Sequence, residues 1–542
     1  MSPTVSVPAA PAAVAASVEG RRVVVVGGGM AGTRLARQLA PAGARVTLVG
    51  EEPHAAYNRV LLAEVLAGRY EPGVIRLPDL PAGPGVRTLR GVRAVRLDRA
   101  ARLVQCDDGR AVPYDVLVLA TGSGPVLPPL RGLFDGADDT GGAGGGALPT
   151  GAHAFRTMDD CLALAAATTP GAAAVVVGGG LLGVSAARAL ARRGARVVLA
   201  QQGERLMERQ LDPAAARLLR AHLEELGVEV HTECRVRGVR TRRRVPDVRP
   251  GPPAAGPAPA ARAVARRARG AGSAAGADGG ADGGGDGFAS SAEGSPPADG
   301  SAYADGSAPA DGPAYGDGPA DVGGSAAPTD GRGPALTAAP GTALRAVSGV
   351  ELADGYVLDA QVVVLACGVR PRVGLARAAG LDVAKGVVVD DELRTSDPAV
   401  HAIGDCAEHA GILYGLATPA LEQADLLARV LTGAGGDGSG RTHRYAGTRA
   451  LTRLTLPAAD GSLDLAAFGE TEPAPGDDVV HLADATRRVY RKVVVRADRL
   501  VGGILLGDLG AVGDLARAWE GDEPLPAGAP LHHLLTDHLG GS

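Results

Sequence analysis

The sequence predicts an α/β protein with two Rossmann-like dinucleotide-binding domains, a small C-terminal α+β domain and a long disordered insertion. Three observations predict it: a strand-and-glycine fingerprint at residues 21–32, its repetition at 172–183, and an abrupt change of composition between about 240 and 342. In the first fingerprint, RRVVVVGGGMAG, the β-branched run Val23 to Val26 stops at Gly27, Gly29 and Gly32 in G-x-G-x-x-G spacing. Such a run suits a strand buried in a parallel sheet. The first glycine allows the tight turn, the second lets backbone amides approach a pyrophosphate, and the third lets the helix pack on the strand. Thr33 to Leu39 supplies the first turns of that helix, and a second strand, Arg45–Val49, ends at Glu51. A carboxylate about 20 residues beyond the glycines is placed to accept hydrogen bonds from a ribose diol.

One such motif is weak in a chain with 81 glycines. Here it occurs twice. AAAVVVGGGLLG repeats the pattern with Gly178, Gly180 and Gly183, and Ala195–Leu199 repeats the second strand. Two folds of this kind mean two dinucleotides, and the economical pairing is a flavin with a nicotinamide.

The chain of 542 residues is long enough for three or four domains. A net charge of -5 supplies no field for nucleic acid or an anionic membrane. Five scattered cysteines without C-x-x-C exclude a redox dithiol of the usual spacing, a zinc ribbon and a local iron–sulfur site, and read as free thiols in a reducing cytosol. Residues 1–20 lack the basic start of a signal peptide, and no run approaches a membrane span, so the expected place is the cytoplasm.

In order, 1–20 is a disordered N-terminus, and His54 to Leu62 opens a short helix that runs to Leu66 and stops at Gly68. Residues 91–119 are strands and turns, the last strand running into Ala120-Thr121-Gly122, and 135–151 is a flexible connector. The nicotinamide domain takes 151–368, with a long amphipathic helix at Asp212–Leu226, a strand at Val228–His231 and the insertion at 240–342. That insertion, rich in Gly, Ala, Pro, Asp and Ser, buries too little apolar surface to offset its ordering entropy. Residues 21–150 and 369–435 form the other dinucleotide domain, which ends on a Gly404-Asp405 strand terminus and a helix with Thr418 as N-cap and Pro419 at its first position. Alternation over Leu463–Phe468, Val479–Leu482, Arg488–Val495 and Leu500–Leu506 gives an antiparallel sheet in a 440–530 domain, closed by a helix at Val512–Ala518. The tail, 531–542, carries His532, His533 and His538 and reads as a frayed end without a metal.

YNRVLL at Tyr57–Leu62, FRTMDD at Phe155–Asp160, LMERQLD at Leu206–Asp212 and VGGILLGD at Val501–Asp508, with the T-x8-G-D element Thr395–Asp405, resemble the flavin-reductase part of assimilatory nitrite reductase large subunits and the electron-transfer subunits of nitrate assimilation. The wider resemblance is to pyridine nucleotide-disulfide-type oxidoreductases, here without the redox disulfide. It implies FAD on Gly27, Gly29, Met30, Ala31, Gly32, Glu51, Arg59, Thr121, Gly122 and Asp405, with Val95 near the adenine and the helix after Pro419 aimed at the flavin pyrimidine. It implies NAD(P)H on Gly178, Gly180, Leu181, Leu182 and Gly183, with Gln201 and Arg205 near the adenosine ribose. Ser185 stands where the family carries Glu, and Ala200-Gln201-Gln202 where an acid would accept a 2′-hydroxyl, so Arg205 tilts the reading toward NADPH or dual use.

The implied activity is hydride transfer from NAD(P)H to FAD and single-electron delivery to a separate iron–sulfur or molybdenum partner in nitrite or nitrate assimilation, with no catalytic side chain required. The cysteine clusters of a complete nitrite reductase are missing, so this chain does not reduce nitrite alone. A ferredoxin or rubredoxin reductase, and a flavin-binding scaffold with a decayed nicotinamide site, stay open, as does a homodimer.

Overall fold

The computed structural model describes residues 18–134, 148–244, 344–433, 443–449, 451–458, 461–526 and 531–536. Most of the connector at 135–151 and of the insertion at 240–342, the first 17 residues and the last six lie outside them.

Two five-stranded parallel sheets carry the two glycine fingerprints. The first has the order 400–402, 116–119, 22–26, 45–50, 87–90, with Val23 to Val26 in register with Val46 to Val49 on one side and Val116 to Leu119 on the other. Strand Arg22–Val26 is therefore flanked on both edges, and all four of its valines are buried, as an unbroken apolar run requires. The second sheet repeats the plan in the order 228–231, 196–200, 173–177, 362–365, 152–154.

In each fingerprint the helix starts directly after the second glycine, at Met30 and at Leu181. The first thus begins three residues before Thr33, because residues 30–32 already form its opening turn. A Cβ on Gly32 would lie 2.1 Å from the Gly27 carbonyl oxygen, and one on Gly183 only 1.8 Å from that of Gly178. Only a hydrogen at those positions lets helix and strand approach so closely.

Strand Val236–Arg244 pairs antiparallel with Leu344–Leu352, and the register runs as far as Arg244 opposite Leu344. Arg240–Arg244 therefore belongs to a strand, not to the composition-biased insertion, because pairing with residues a hundred positions later overrides local composition. The two ends of the undescribed stretch lie face to face.

The helix near Pro419 begins at Ala417 with Leu416 as N-cap, so Thr418 and Pro419 lie inside its first turn and Thr418 makes no side-chain cap. Proline is tolerated there because first-turn N–H groups have no intrahelical acceptor. Gly433, in the left-handed conformation, closes the helix.

The C-terminal sheet is antiparallel in the order 452–458, 461–469, 499–506, 489–496, 478–484. Its first strand was not anticipated. One face (Leu456, Leu465, Ile504, Leu506) shares a core with helix Leu181–Arg192 of the second parallel fold; the other covers helix Val512–Gly521 through Leu515 and Trp519. Residues 531–536 are not frayed, since Leu534 and Leu535 are buried in that second cluster. Among the described residues no group of His, Cys, Asp and Glu is arranged to hold a metal, and no helix is long and apolar enough to cross a membrane.

Candidate functional site

The carboxyl ends of both central strands open into one cleft of about 1240 Å³. Ligands of open parallel sheets bind outside such strand ends. Gly27 and Gly178 make the turns, with φ of 124° and 108°. Gly29 and Gly180 differ from them: a Cβ at either would meet nothing within 4 Å, so each loop leaves free space above helix N–H groups. Such a cradle, backed by the positive end of a helix, suits a pyrophosphate, and it occurs twice.

Gly27, Gly29, Met30, Ala31, Glu51, Arg59, Thr121, Gly122 and Asp405 line the first half of the cleft, while Gly178, Gly180, Leu181, Leu182 and Gln201 line the second. Gly32 and Gly183 sit behind the loops as packing residues. Val95 departs from expectation. It lies at a register shift in the 94–98 strand and is 48% exposed, whereas Val92, Arg93 and Ala94 face the cleft. The extra residue of a bulge turns its side chain off the paired face. Arg205 also departs. Its Nε donates to the Leu211 carbonyl (3.1 Å) and its guanidinium pairs with Glu472 (3.2 Å), away from the cleft wall. Gln201 turns inward, its Oε1 accepting from the Gly179 N–H at 2.7 Å.

A polar cluster ties residues of the first dinucleotide fold to Arg156, which follows the 152–154 strand of the second. Asp405 Oδ2 accepts from Ser123 Oγ and from Arg156, both at 2.6 Å, and Arg156 also donates to Ser123 Oγ at 2.7 Å. Arg59 donates to the Arg156 carbonyl and to Glu52, each at 2.6 Å, while the Tyr57 hydroxyl donates to the other Glu52 oxygen at 2.6 Å. Burial alone would raise the Glu52 carboxyl, but Arg59 and Tyr57 outweigh it and hold the group below its ordinary range. For Arg156, burial dominates and lowers the guanidinium despite Asp405. Its Nε has no hydrogen-bond partner among the described residues.

The Ala120-Thr121-Gly122 turn is pinned from far along the chain, Thr121 Oγ1 donating to the Arg372 carbonyl at 2.7 Å. Arg372 also pairs with Glu51 at 2.7 Å. Helix Ala417–Thr432 opens onto the cleft through Leu416, Ala417 and Ala420, and Gln423 accepts from the Gly404 N–H at 2.7 Å. Ser185 faces the cleft with its hydroxyl committed to the Leu181 carbonyl at 2.8 Å. Cys367, also on the wall, is a free thiol that burial pushes up to about 11, so it is neutral at physiological pH.

Sequence reasoning missed Glu52, Ser123, Arg156, Arg372, Glu208 and Arg209. Arg156 and Glu208 sat inside quoted motifs, but nothing in linear spacing marks Arg372 as the partner of Glu51.

The profile of the pyridine nucleotide-disulphide oxidoreductases matches residues 21–249 and 335–424, more than half of the chain. The chain belongs to that family. As a member it is an oxidoreductase that works with FAD and NAD(P)H. A second profile, the C-terminal domain of rubredoxin NAD+ reductase, matches 461–521. The chain is 27% identical, over 90% of its length, to the nitrite reductase [NAD(P)H] of Bacillus subtilis (strain 168), of which that match covers 46%, and to the assimilatory nitrate reductase electron transfer subunit of the same organism, of which it covers 48%. It spans about half the length of these relatives. The family's fold is shared with the covalent putidaredoxin reductase–putidaredoxin complex, at a TM-score of 0.63 and 20% identity over 96% of this chain and 99% of that one.

Proposed function

We propose that the chain holds FAD on the first glycine loop and NAD(P)H on the second, and passes electrons to a separate iron–sulfur or molybdenum protein of nitrite or nitrate assimilation in the cytoplasm. The observation that carries this reading is two glycine loops, each with room for a pyrophosphate at a helix N-terminus, opening into one cleft. The match over 90% of the chain to a nitrite reductase and a nitrate reductase electron transfer subunit supports the choice of pathway. When bound, the two cofactors would supply the redox chemistry themselves, one as hydride donor and the other as an acceptor able to release electrons singly.

The residues orient and solvate. Gly29 and Gly180 leave room for phosphate oxygens at the helix N-termini. Asp405, fixed by Ser123 and Arg156, presents a carboxylate whose geometry is set before any ligand arrives. The N-terminus of helix Ala417–Thr432 places its partial positive charge on the same wall, favouring negative charge there. No side chain of the cleft needs to act as acid or nucleophile.

Anaerobic mixing of FAD-loaded protein with NADH and with NADPH tests the proposal. Bleaching of the yellow flavin, followed by reoxidation with an iron–sulfur or molybdenum acceptor, is the expected result. A flavin that stays yellow with both coenzymes overturns it in favour of a flavin-binding scaffold. The profile match at 461–521 gives the second reading, a ferredoxin or rubredoxin reductase, which predicts turnover with those small acceptors and none with an assimilatory partner.

A further inference from the structure

In folds of this kind the 2′ position of the adenosine ribose is read at the end of the second strand, by an acid for a free hydroxyl or an arginine for a phosphate. Neither residue expected there supplies that group. Gln201 accepts from the Gly179 N–H through Oε1 and offers an amide in place of a carboxylate, while Arg205 is held by the Leu211 carbonyl and Glu472.

The chain supplies a replacement a few residues later. Leu206 and Met207 are buried, and the Met207 N–H donates to the Gly179 carbonyl at 3.0 Å, tying the segment to the middle of the glycine loop. Met207 has a φ of 49°, so the chain turns sharply there. The turn folds the Glu208 carboxylate back over Gly203, where a Cβ would lie 2.2 and 2.3 Å from its two oxygens. Glu208 and Arg209 are both exposed and both line the cleft; Glu208 Oε1 accepts from the Arg205 N–H at 3.4 Å, and its Oε2 has no hydrogen-bond partner among the described residues. Arg209 has no hydrogen bond or ion pair among the described residues.

We propose that Glu208 and Arg209 are the residues that read the 2′ position of the nicotinamide coenzyme, Glu208 accepting from the ribose diol of NADH and Arg209 pairing with the 2′-phosphate of NADPH. The proposal rests on the second fold being the NAD(P)H site. A carboxylate and a guanidinium side by side on one rim select against each other's ligand, so both coenzymes are used and each residue sets one side of the ratio.

The test is calorimetric titration of the oxidised, FAD-loaded protein with ADP-ribose and with 2′-phospho-ADP-ribose, neither of which reacts with flavin. Glu208→Gln is expected to weaken ADP-ribose about tenfold and to tighten the phosphorylated ligand, whereas Arg209→Gln weakens the phosphorylated ligand about tenfold and leaves ADP-ribose within about twofold. Arg205→Gln is expected to leave the ratio unchanged. Both substituted side chains are exposed, so unchanged melting curves will show that the fold survives. A ratio that does not move in either variant, or that moves in Arg205→Gln instead, overturns the assignment while leaving the coenzyme site standing. Wild-type protein that binds neither ligand overturns the nicotinamide reading of the second fold, and this assignment with it.

Discussion

At Gly180 an added methyl group meets open space, and at Gly183, three residues on, it meets the Gly178 carbonyl oxygen at 1.8 Å. The same spacing motif therefore contains one glycine with open space above it and one pressed against backbone. Gly180→Ala is expected to fold with stability within about 0.5 kcal/mol of the parent while ADP-ribose binding falls about tenfold. Gly183→Ala is expected to lose at least about 3 kcal/mol or to give no folded protein, because backbone cannot yield as a side chain can. Melting curves and calorimetry on the two variants separate the roles, and equal destabilisation would refute the distinction. His401 offers a second test at this scale. Burial, with Arg394 adding to it, drives its imidazole down to about 4 from the usual 6.5, so the folded protein keeps it neutral where the unfolded chain takes up a proton. Its contribution is intact above about pH 6.5 and is lost as pH falls toward 4, a change of about 3 kcal/mol. Denaturant titrations of His401→Leu between pH 4 and 7 are expected to show a correspondingly shallower loss on the acid side than the parent. The turn and packing geometry of the glycines was legible because it is set by backbone, which spacing encodes. Val95 and Arg205 were not, since a bulge aims one and Glu472, 267 residues away, captures the other.

The segment between strand Arg196–Ala200 and helix Pro213–Glu225 is fastened at both ends, by Met207 to the glycine loop and by Asp212 to the C-terminal sheet. Asp212 caps its helix through the Ala215 N–H at 3.0 Å, and its other oxygen accepts from the Tyr490 hydroxyl at 2.6 Å and Lys492 at 2.9 Å, all within the interior. Burial opposes the Asp212 charge, but these donors outweigh it and hold the carboxyl below its usual range. Lys492 is one of only two lysines in the chain, and a flexible ammonium stem reaches where a planar guanidinium would not pack. Lys492→Met strands a buried carboxylate and is expected to cost about 3 kcal/mol in urea unfolding, while the double change with Asp212→Asn recovers at least half of it. If the single and double variants are equally unstable, the pair does not couple the C-terminal sheet to the coenzyme wall. Element type was legible wherever periodicity was long, as in the helix Asp212 caps. Starts were less so. The helix expected to be capped by Thr418 begins before it, at Ala417, with Leu416 as an N-cap that makes no side-chain hydrogen bond, so no capping residue marks its start in the sequence. The strand 452–458 escaped notice because its role depends on pairing with 461–469 and not on its own pattern.

Across the whole molecule, the compositional break between about 240 and 342 splits one domain without splitting its sheets. Arg244 and Leu344 are register partners on neighbouring antiparallel strands, so the described residues on either side of 245–343 lie directly opposite each other. A two-residue turn is enough to join such strands, and the entropic penalty of a long closed loop grows only with the logarithm of its length. The ladder between the two strands is formed by described residues alone. Replacing 245–343 by Asn-Gly is expected to leave flavin content, melting temperature and the rate of flavin bleaching by NAD(P)H unchanged. A shortened protein that binds FAD but no longer reduces the assimilatory acceptor would show the stretch to be part of the partner's docking surface. Loss of FAD itself would show that strands Val236–Arg244 and Leu344–Leu352 are held by something other than each other, against a register that pairs them along their whole length.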